Sequence, residues 1–328
     1  MSFQPGYIAL YQTGELAQRV RRAYRFLEAC TLCPYACKVN RIEGEIGFCR
    51  VDARLRVAGF APHFGEEAPL VGQHGSGAIF FSYCNMGCVF CQNYDINLEG
   101  AGKDISTDEL ADYMLALQAQ KCHNINLISP THYIPQILEG VLKAVEKGLS
   151  IPLVYNCGGY ESVSALQLLR GVVDIYLPDV KYSDNSTAQK YSKIPQYFEA
   201  VKAALKEMYR QVGDLQINDA GLAERGLLAR HLVMPENLAG TEEVVRFIAE
   251  EISRDTYIHL MDQYQPAYKA TQFRELKRRI TPLEHRRALE LAKNAGLYRF
   301  DTTDANWLRK ARFSAKPTRR AALTSVSV

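Results

Sequence analysis

The stretch Ala78-Ile79-Phe80-Phe81-Ser82-Tyr83-Cys84-Asn85-Met86-Gly87-Cys88-Val89-Phe90-Cys91 decides how this chain is read. Residues 78–83 form an apolar, aromatic run with the composition of a buried strand. Three cysteines follow it directly, spaced C-x3-C-x2-C. Three thiolates on one loop can each ligate an iron of a [4Fe-4S] cube. No fourth cysteine follows at short range, so one iron is left for a non-protein ligand, as catalytic metal sites keep one position open. Gly87 lets the loop turn tightly. The competing interpretation, a structural zinc site, calls for paired C-x2-C arms and four ligands.

Working outward, the run at 78–83 opens a regular alternation. Strands are expected at 78–83, 126–129, 153–156, 172–178, 227–234 and 257–261, with helical patterns at 106–120, 133–147, 160–170, 197–209 and 241–252. Ser106 with Glu109 makes a capping box, and Thr281, Pro282 and Glu284 start a further helix that Gly296 ends. Alternating strand and helix means a parallel sheet. The expected fold is therefore α/β: a partial (β/α)6 TIM-like barrel with a small N-terminal cysteine-rich metal module. In such barrels the chemistry sits at the C-terminal ends of the strands.

Upstream, 14–29 has helical spacing at Leu16, Val20, Tyr24 and Leu27. Cys30, Cys33, Cys37 and Cys49 follow in a loop-rich stretch. Four soft ligands suit either zinc or a second [4Fe-4S] cluster. The expected organisation is an N-terminal helix and metal module over 1–60, the barrel over 75–300 and a flexible tail over 313–328. Cys122 is expected to be inert, and Cys157 to pack at a strand end.

The 328 residues carry a formal net charge of +3, too small to imply a nucleic-acid partner. The segment 274–287 is dense in Lys, Arg and His, but it also holds Glu275 and Glu284 and reads as a solvated helix face. The N-terminus lacks an apolar core and a cleavage site, and no apolar run reaches the ~20 residues that a bilayer requires. A cytoplasmic protein with no membrane association is expected, and in a reducing compartment clustered cysteines are more readily metal ligands than disulfides.

CNMGCVFCQN after an apolar strand resembles the signature of the radical SAM superfamily. The resemblance runs over about residues 25–300 and is nearest to the branch of pyruvate-formate-lyase activating enzymes, including members with an extra N-terminal cysteine set. It implies that Cys84, Cys88 and Cys91 hold a [4Fe-4S] cluster whose free iron takes S-adenosyl-L-methionine. Reduction then cleaves S-adenosylmethionine to a 5′-deoxyadenosyl radical, which abstracts hydrogen from a substrate. Phe90 would cover the adenine. At the end of strand two, Ser129-Pro130-Thr131-His132 stands where the family has Gly-Gly-Glu, making Pro130 and Thr131 candidates to receive the methionine amino group. Asn156 resembles the Asn of a Thr-Asn-Gly motif, Asp179 and Lys181 an Asp-x-Lys motif, and His231 the His of an Arg-His-x-x-x-Pro stretch that contacts the ribose.

The resemblance further implies an oxidoreductase served by a flavodoxin- or ferredoxin-like electron donor. Its substrate would be a glycine of a partner enzyme; a peptide, a small metabolite or RNA are alternatives. A non-catalytic zinc-binding protein is the remaining one. The segments 207–214 and 261–265 are expected near the barrel mouth.

Overall fold

The computed structural model describes residues 3–301; the tail expected at 313–328 lies outside the described residues. In chain order the helices are α1 (Gly6–Gln12), α2 (Glu15–Arg25), α3 (Ala68–Val71), α4 (Tyr94–Asn97), α5 (Thr107–Ala119), α6 (Ile134–Glu146), α7 (Val163–Leu168), α8 (Asn185–Ser192), α9 (Tyr197–Val212), α10 (Thr241–Phe247) and α11 (Pro282–Asn294). The strands are β1 (Leu55–His63), β2 (Ser76–Phe81), β3 (Lys103–Ile105), β4 (Ile125–Ile128), β5 (Leu153–Cys157), β6 (Ile175–Pro178), β7 (Gln216–Ile217), β8 (Ala223–Leu232) and β9 (Tyr257–Met261).

The six strands expected from the apolar runs form the parallel series β2-β4-β5-β6-β8-β9. β5 and β6 are buried along their whole length, as strands covered on both faces are. The fold is thus α/β with a mostly parallel sheet, an open relative of the TIM barrel with a cysteine-rich N-terminal region. The sheet also holds antiparallel strands that the alternation does not foretell. β1 pairs with β2, β3 with β1, and β7 with β8. The expected capping box forms at Ser106/Glu109, and the expected helix start at Thr281 carries a second one with Glu284.

Strand parity sorts the interior. Val154, Ile175, Leu177 and Leu228 face inward as an apolar floor, and Leu70 of α3 plugs it from below. Above that floor the inward positions turn polar, at Asn156, Asp179 and Arg230. The N-terminal helices are tied to the outside of the sheet. Gly6 N donates to Asp174 Oδ1 at 3.1 Å, Tyr7 Oη to the Ile151 carbonyl at 2.7 Å, and α2 packs on α6. No helix of the described residues is long and apolar enough to cross a membrane.

Candidate functional site

The cysteine loop leaves β2 through Tyr83, which takes a left-handed φ of 68°, and is clamped onto α8. Gly87 N and Val89 N each donate at 2.8 Å, to the Ser192 and Tyr191 carbonyls. Cys84, Cys88 and Cys91 border one cavity of about 240 Å³ at the C-terminal strand ends. Cys88 Sγ lies 3.0 Å from Ser192 Oγ, and Asn97 Nδ2 donates to Cys91 Sγ at 3.5 Å. Hydrogen bonds to ligand sulfurs of this kind tune iron–sulfur clusters. Burial and the neighbouring Cys88 push the Cys91 thiol up to about 11. Burial raises Cys88 as well, against the Lys181 charge. Metal binding at such thiols therefore releases protons.

Among the described residues, no three His, Cys, Asp or Glu side chains converge on a position for a single ion. A cube does not need that, because each thiolate binds a different iron. Three thiols around one cavity, each with a hydrogen-bonding neighbour (Cys84 Sγ lies 3.8 Å from Asn85 Oδ1), fit a [4Fe-4S] group.

A charge network faces the thiols. Arg230 Nε donates to Asp179 Oδ1 at 2.7 Å, Nη2 to Asn156 Oδ1 at 2.5 Å and Nη1 to Glu66 Oε2 at 3.2 Å. Lys181 Nζ donates to Asp179 Oδ2. Glu67 Oε1 stands 3.8 Å from Arg230 and 2.8 Å from His259 Nδ1. Burial raises the Asp179 carboxyl, but the Arg230 and Lys181 charges outweigh it and hold the group below the usual carboxylate range. Glu66, against the same guanidinium, is pushed up to about 7 by burial.

The cavity brings together Phe90, Asn156, Asp179 and Lys181 with the three cysteines. Phe90 meets Tyr264 edge-on at 5.8 Å. Pro130 and Thr131 do not border the cavity. Thr131 Oγ1 donates to Glu161 Oε1 at 2.7 Å, and Ser129, with a left-handed φ of 59°, lines the cavity at the end of β4. His231 does not border it either. It is fully buried, with Nδ1 2.6 Å from the Val180 carbonyl and Nε2 3.0 Å from Thr241 Oγ1. On β8, 230 and 232 face inward, so 231 faces the helices.

Sequence reading missed Arg230, Glu66 and Glu67. Strand parity against Asp179 could have found Arg230, since Asp179 and Arg230 bridge β6 and β8. The two glutamates come from the loop before α3 and carry no motif. Of the segments expected at the mouth, 261–265 supplies Met261, Gln263 and Tyr264. The segment 207–214 lies at the opposite end, where Leu227 N near the start of β8 donates to the Gly213 carbonyl at 2.9 Å. A helix that follows a parallel strand runs back along it, so the C-terminus of α9 returns to the N-terminal strand ends.

Gly158 and Gly159 follow directly on β5. A Cβ on Gly158 would lie 2.3 Å from Met86 Sδ, inside the cysteine loop. Gly159 has φ +76°, and its Cβ would lie 2.5 Å from the Asp179 carbonyl oxygen. Gly159→Ala should cost about 1–3 kcal/mol or more in urea unfolding, from backbone strain and the forced shift of β6. Unchanged stability would mean the turn relaxes freely.

The other cysteine set gathers apart from this cavity. Cys30, Cys33, Cys37 and Cys49 border a small closed space of about 10 Å³, shared with Asn85 and His132.

Residues 78–248 match the radical SAM superfamily. The chain is also 34% identical over 289 residues to an uncharacterized protein of Methanocaldococcus jannaschii, covering 85% of this chain and 78% of the relative. A cysteine loop after β2, a cavity at the strand ends and the match over residues 78–248 converge: the chain belongs to the radical SAM superfamily, enzymes that cleave S-adenosylmethionine at an iron–sulfur cluster.

Proposed function

We propose that Cys84, Cys88 and Cys91 hold a [4Fe-4S] cluster, that S-adenosylmethionine binds across the same cavity, and that the protein abstracts hydrogen from a substrate in the manner of an activating enzyme. The observation that carries this reading is the single cavity bordered by all three thiols and by Asn156, Asp179, Lys181 and Arg230. When bound, the cluster and S-adenosylmethionine supply one-electron cleavage of a C–S bond and hydrogen-atom transfer.

The chain's own residues bind and orient. Lys181 and Arg230 offer cationic donors to the methionine carboxylate, while Asp179, kept ionised between them, accepts from ammonium or hydroxyl groups. Asn156 presents an amide at the end of β5. Phe90 and Tyr264 wall the cavity with rings and exclude water. Pro130, Thr131 and His231 act on this cavity through neighbours, by holding the turn after β4 and the packing of β8 on α10. By resemblance to activating enzymes the target is a glycine of a partner enzyme, and the electron comes from a flavodoxin- or ferredoxin-like protein. A cytoplasmic setting accords with nine cysteines that form no disulfide.

The test is anaerobic reconstitution with iron and sulfide, then addition of S-adenosylmethionine and dithionite with quantification of 5′-deoxyadenosine. Its formation supports the proposal. Bound zinc with no cleavage under any preparation would overturn it.

A further inference from the structure

We propose that Cys30, Cys33, Cys37, Cys49 and His132 form the site of a second iron–sulfur cluster, four of these five side chains each taking one iron, with Arg41 as its counter-charge. The loop is built to converge. Cys30 N donates to the Val39 carbonyl, Lys38 N to the Cys30 carbonyl and Ala36 N to the Cys33 carbonyl, each at 3.0 Å. Ala36 and Lys38 are held at φ 44° and 58°, conformations that need surrounding structure to persist. A Cβ on Gly47 would lie 2.8 Å from Cys37 Sγ, so the opposite arm of the loop closes directly over the thiol.

His132 comes from the barrel and is 3% exposed. Its Nε2 lies 2.9 Å from the Ser82 carbonyl, which can only accept, so Nε2 carries the hydrogen. In the neutral ring Nδ1 is then a bare lone pair, and this buried atom has no hydrogen-bond partner. Metal-ligating histidines are oriented in this way, with the second ring N–H tied to a carbonyl. His132 borders the same small space as the four cysteines.

Arg41 is fully buried. Its guanidinium donates to the Asp52 carbonyl at 2.7 and 3.1 Å and to the His132 carbonyl at 2.8 Å, and it lies 3.9 Å from Cys30 Sγ. Its hydrogen bonds among the described residues thus go to neutral oxygens and one sulfur. A buried cation requires an anion. Thiolates around a cluster supply that charge, since ligation strips the thiol protons.

The geometry favours a cluster over a single ion. No three of these side chains converge on one ion position. The space of about 10 Å³ among the sulfurs admits a sphere of water's size. Zinc held about 2.3 Å from four sulfurs would leave no such room. A cluster, whose ligands bind separate irons, does not need its thiolates to converge on one point. Asn85, next to Cys84, also borders this space, and Ser82, which orients His132, leads into the same loop. One short segment therefore supports both cysteine sites.

The test uses the full chain with Cys84→Ala, Cys88→Ala and Cys91→Ala combined, reconstituted anaerobically, with iron, sulfide and zinc all counted and folding checked by circular dichroism. The expected result is about four irons and four sulfides per chain and a cluster signal in electron paramagnetic resonance after dithionite, both lost when Cys33→Ala and Cys37→Ala are added. Zinc, or no metal in the folded triple variant, overturns the proposal. If that variant does not fold, the unsubstituted protein decides: about eight irons support the second cluster, and about four irons with one zinc overturn it. The difference between the two proteins reports the Cys84/Cys88/Cys91 site separately. His132→Ala in the triple background should alter the resonance spectrum; an unchanged spectrum removes His132 from the site.

Discussion

Cys88→Ala protein should lose 5′-deoxyadenosine formation by well over a hundredfold while staying folded. Losing a hydrogen-bond partner of a metal ligand typically costs about 10–100-fold, and losing the ligand itself costs more. Cys88 sits centrally in the arrangement: its sulfur meets Ser192 Oγ, and its charge couples to Lys181 and raises Cys84 and Cys91. Two remaining thiols leave an iron without its protein ligand, so iron content should fall with activity. Cys122→Ala is the matched control. That residue is buried beyond the end of α5, with its thiol near the His74 carbonyl, and borders neither cysteine cavity. Activity retained in Cys88→Ala, with full iron, would mean the cluster is held elsewhere.

The second large effect is expected from Arg230→Met, which keeps length and removes charge. Arg230 and its carboxylate partners Asp179, Glu66 and Glu67 are all less than one-sixth exposed. Without the guanidinium these carboxyls retain the Lys181 ammonium and the His259 imidazole as neighbours. Breaking a buried ion pair from one side costs about 3–5 kcal/mol. The penalty has a definite pH sign. Glu66 is already raised to about 7 in the folded protein, against an unfolded value of about 4.3. Such a group favours folding fully below its unfolded pKa, and that contribution is lost as pH rises through about 7. Removing Arg230 raises the folded-state values further. The stability gap between variant and parent should therefore be widest above about pH 7 and shrink toward about pH 5 in urea titrations. A gap independent of pH would mean that packing, not charge, is what Arg230 contributes.

The six parallel strands were legible because strands buried on both faces are written as short apolar runs, as at 153–157 and 175–178. β1 was not, since Leu55–His63 carries Arg56, Gly59 and Pro62 and is only partly buried, so no alternation marks it. α1, seven residues long, is too short to show a period. In the site, the cysteine spacing was readable along the chain, and the family resemblance pointed to Asn156, Asp179 and Lys181, which border the same cavity. Parity was the missing step at β8: Arg230 and His231 are neighbours in sequence but stand on opposite faces of the sheet. Glu66 and Glu67 reach the network through a turn that leaves no local trace.

The attachment of the N-terminal helices has a consequence for assembly. Gly6 bonds to Asp174, Tyr7 to Ile151 and Arg19 to the Leu168 carbonyl, so this segment is made early yet docks only when residues up to 174 are available. Contacts so distant in sequence are slow to form. His132, which closes the wall beside Cys30, Cys33, Cys37 and Cys49, is likewise far downstream. During synthesis those thiols wait unshielded until His132 follows, 83 to 102 residues later, so the metal loading proposed for them would come after the central strands have paired, and oxidation before that point is the hazard.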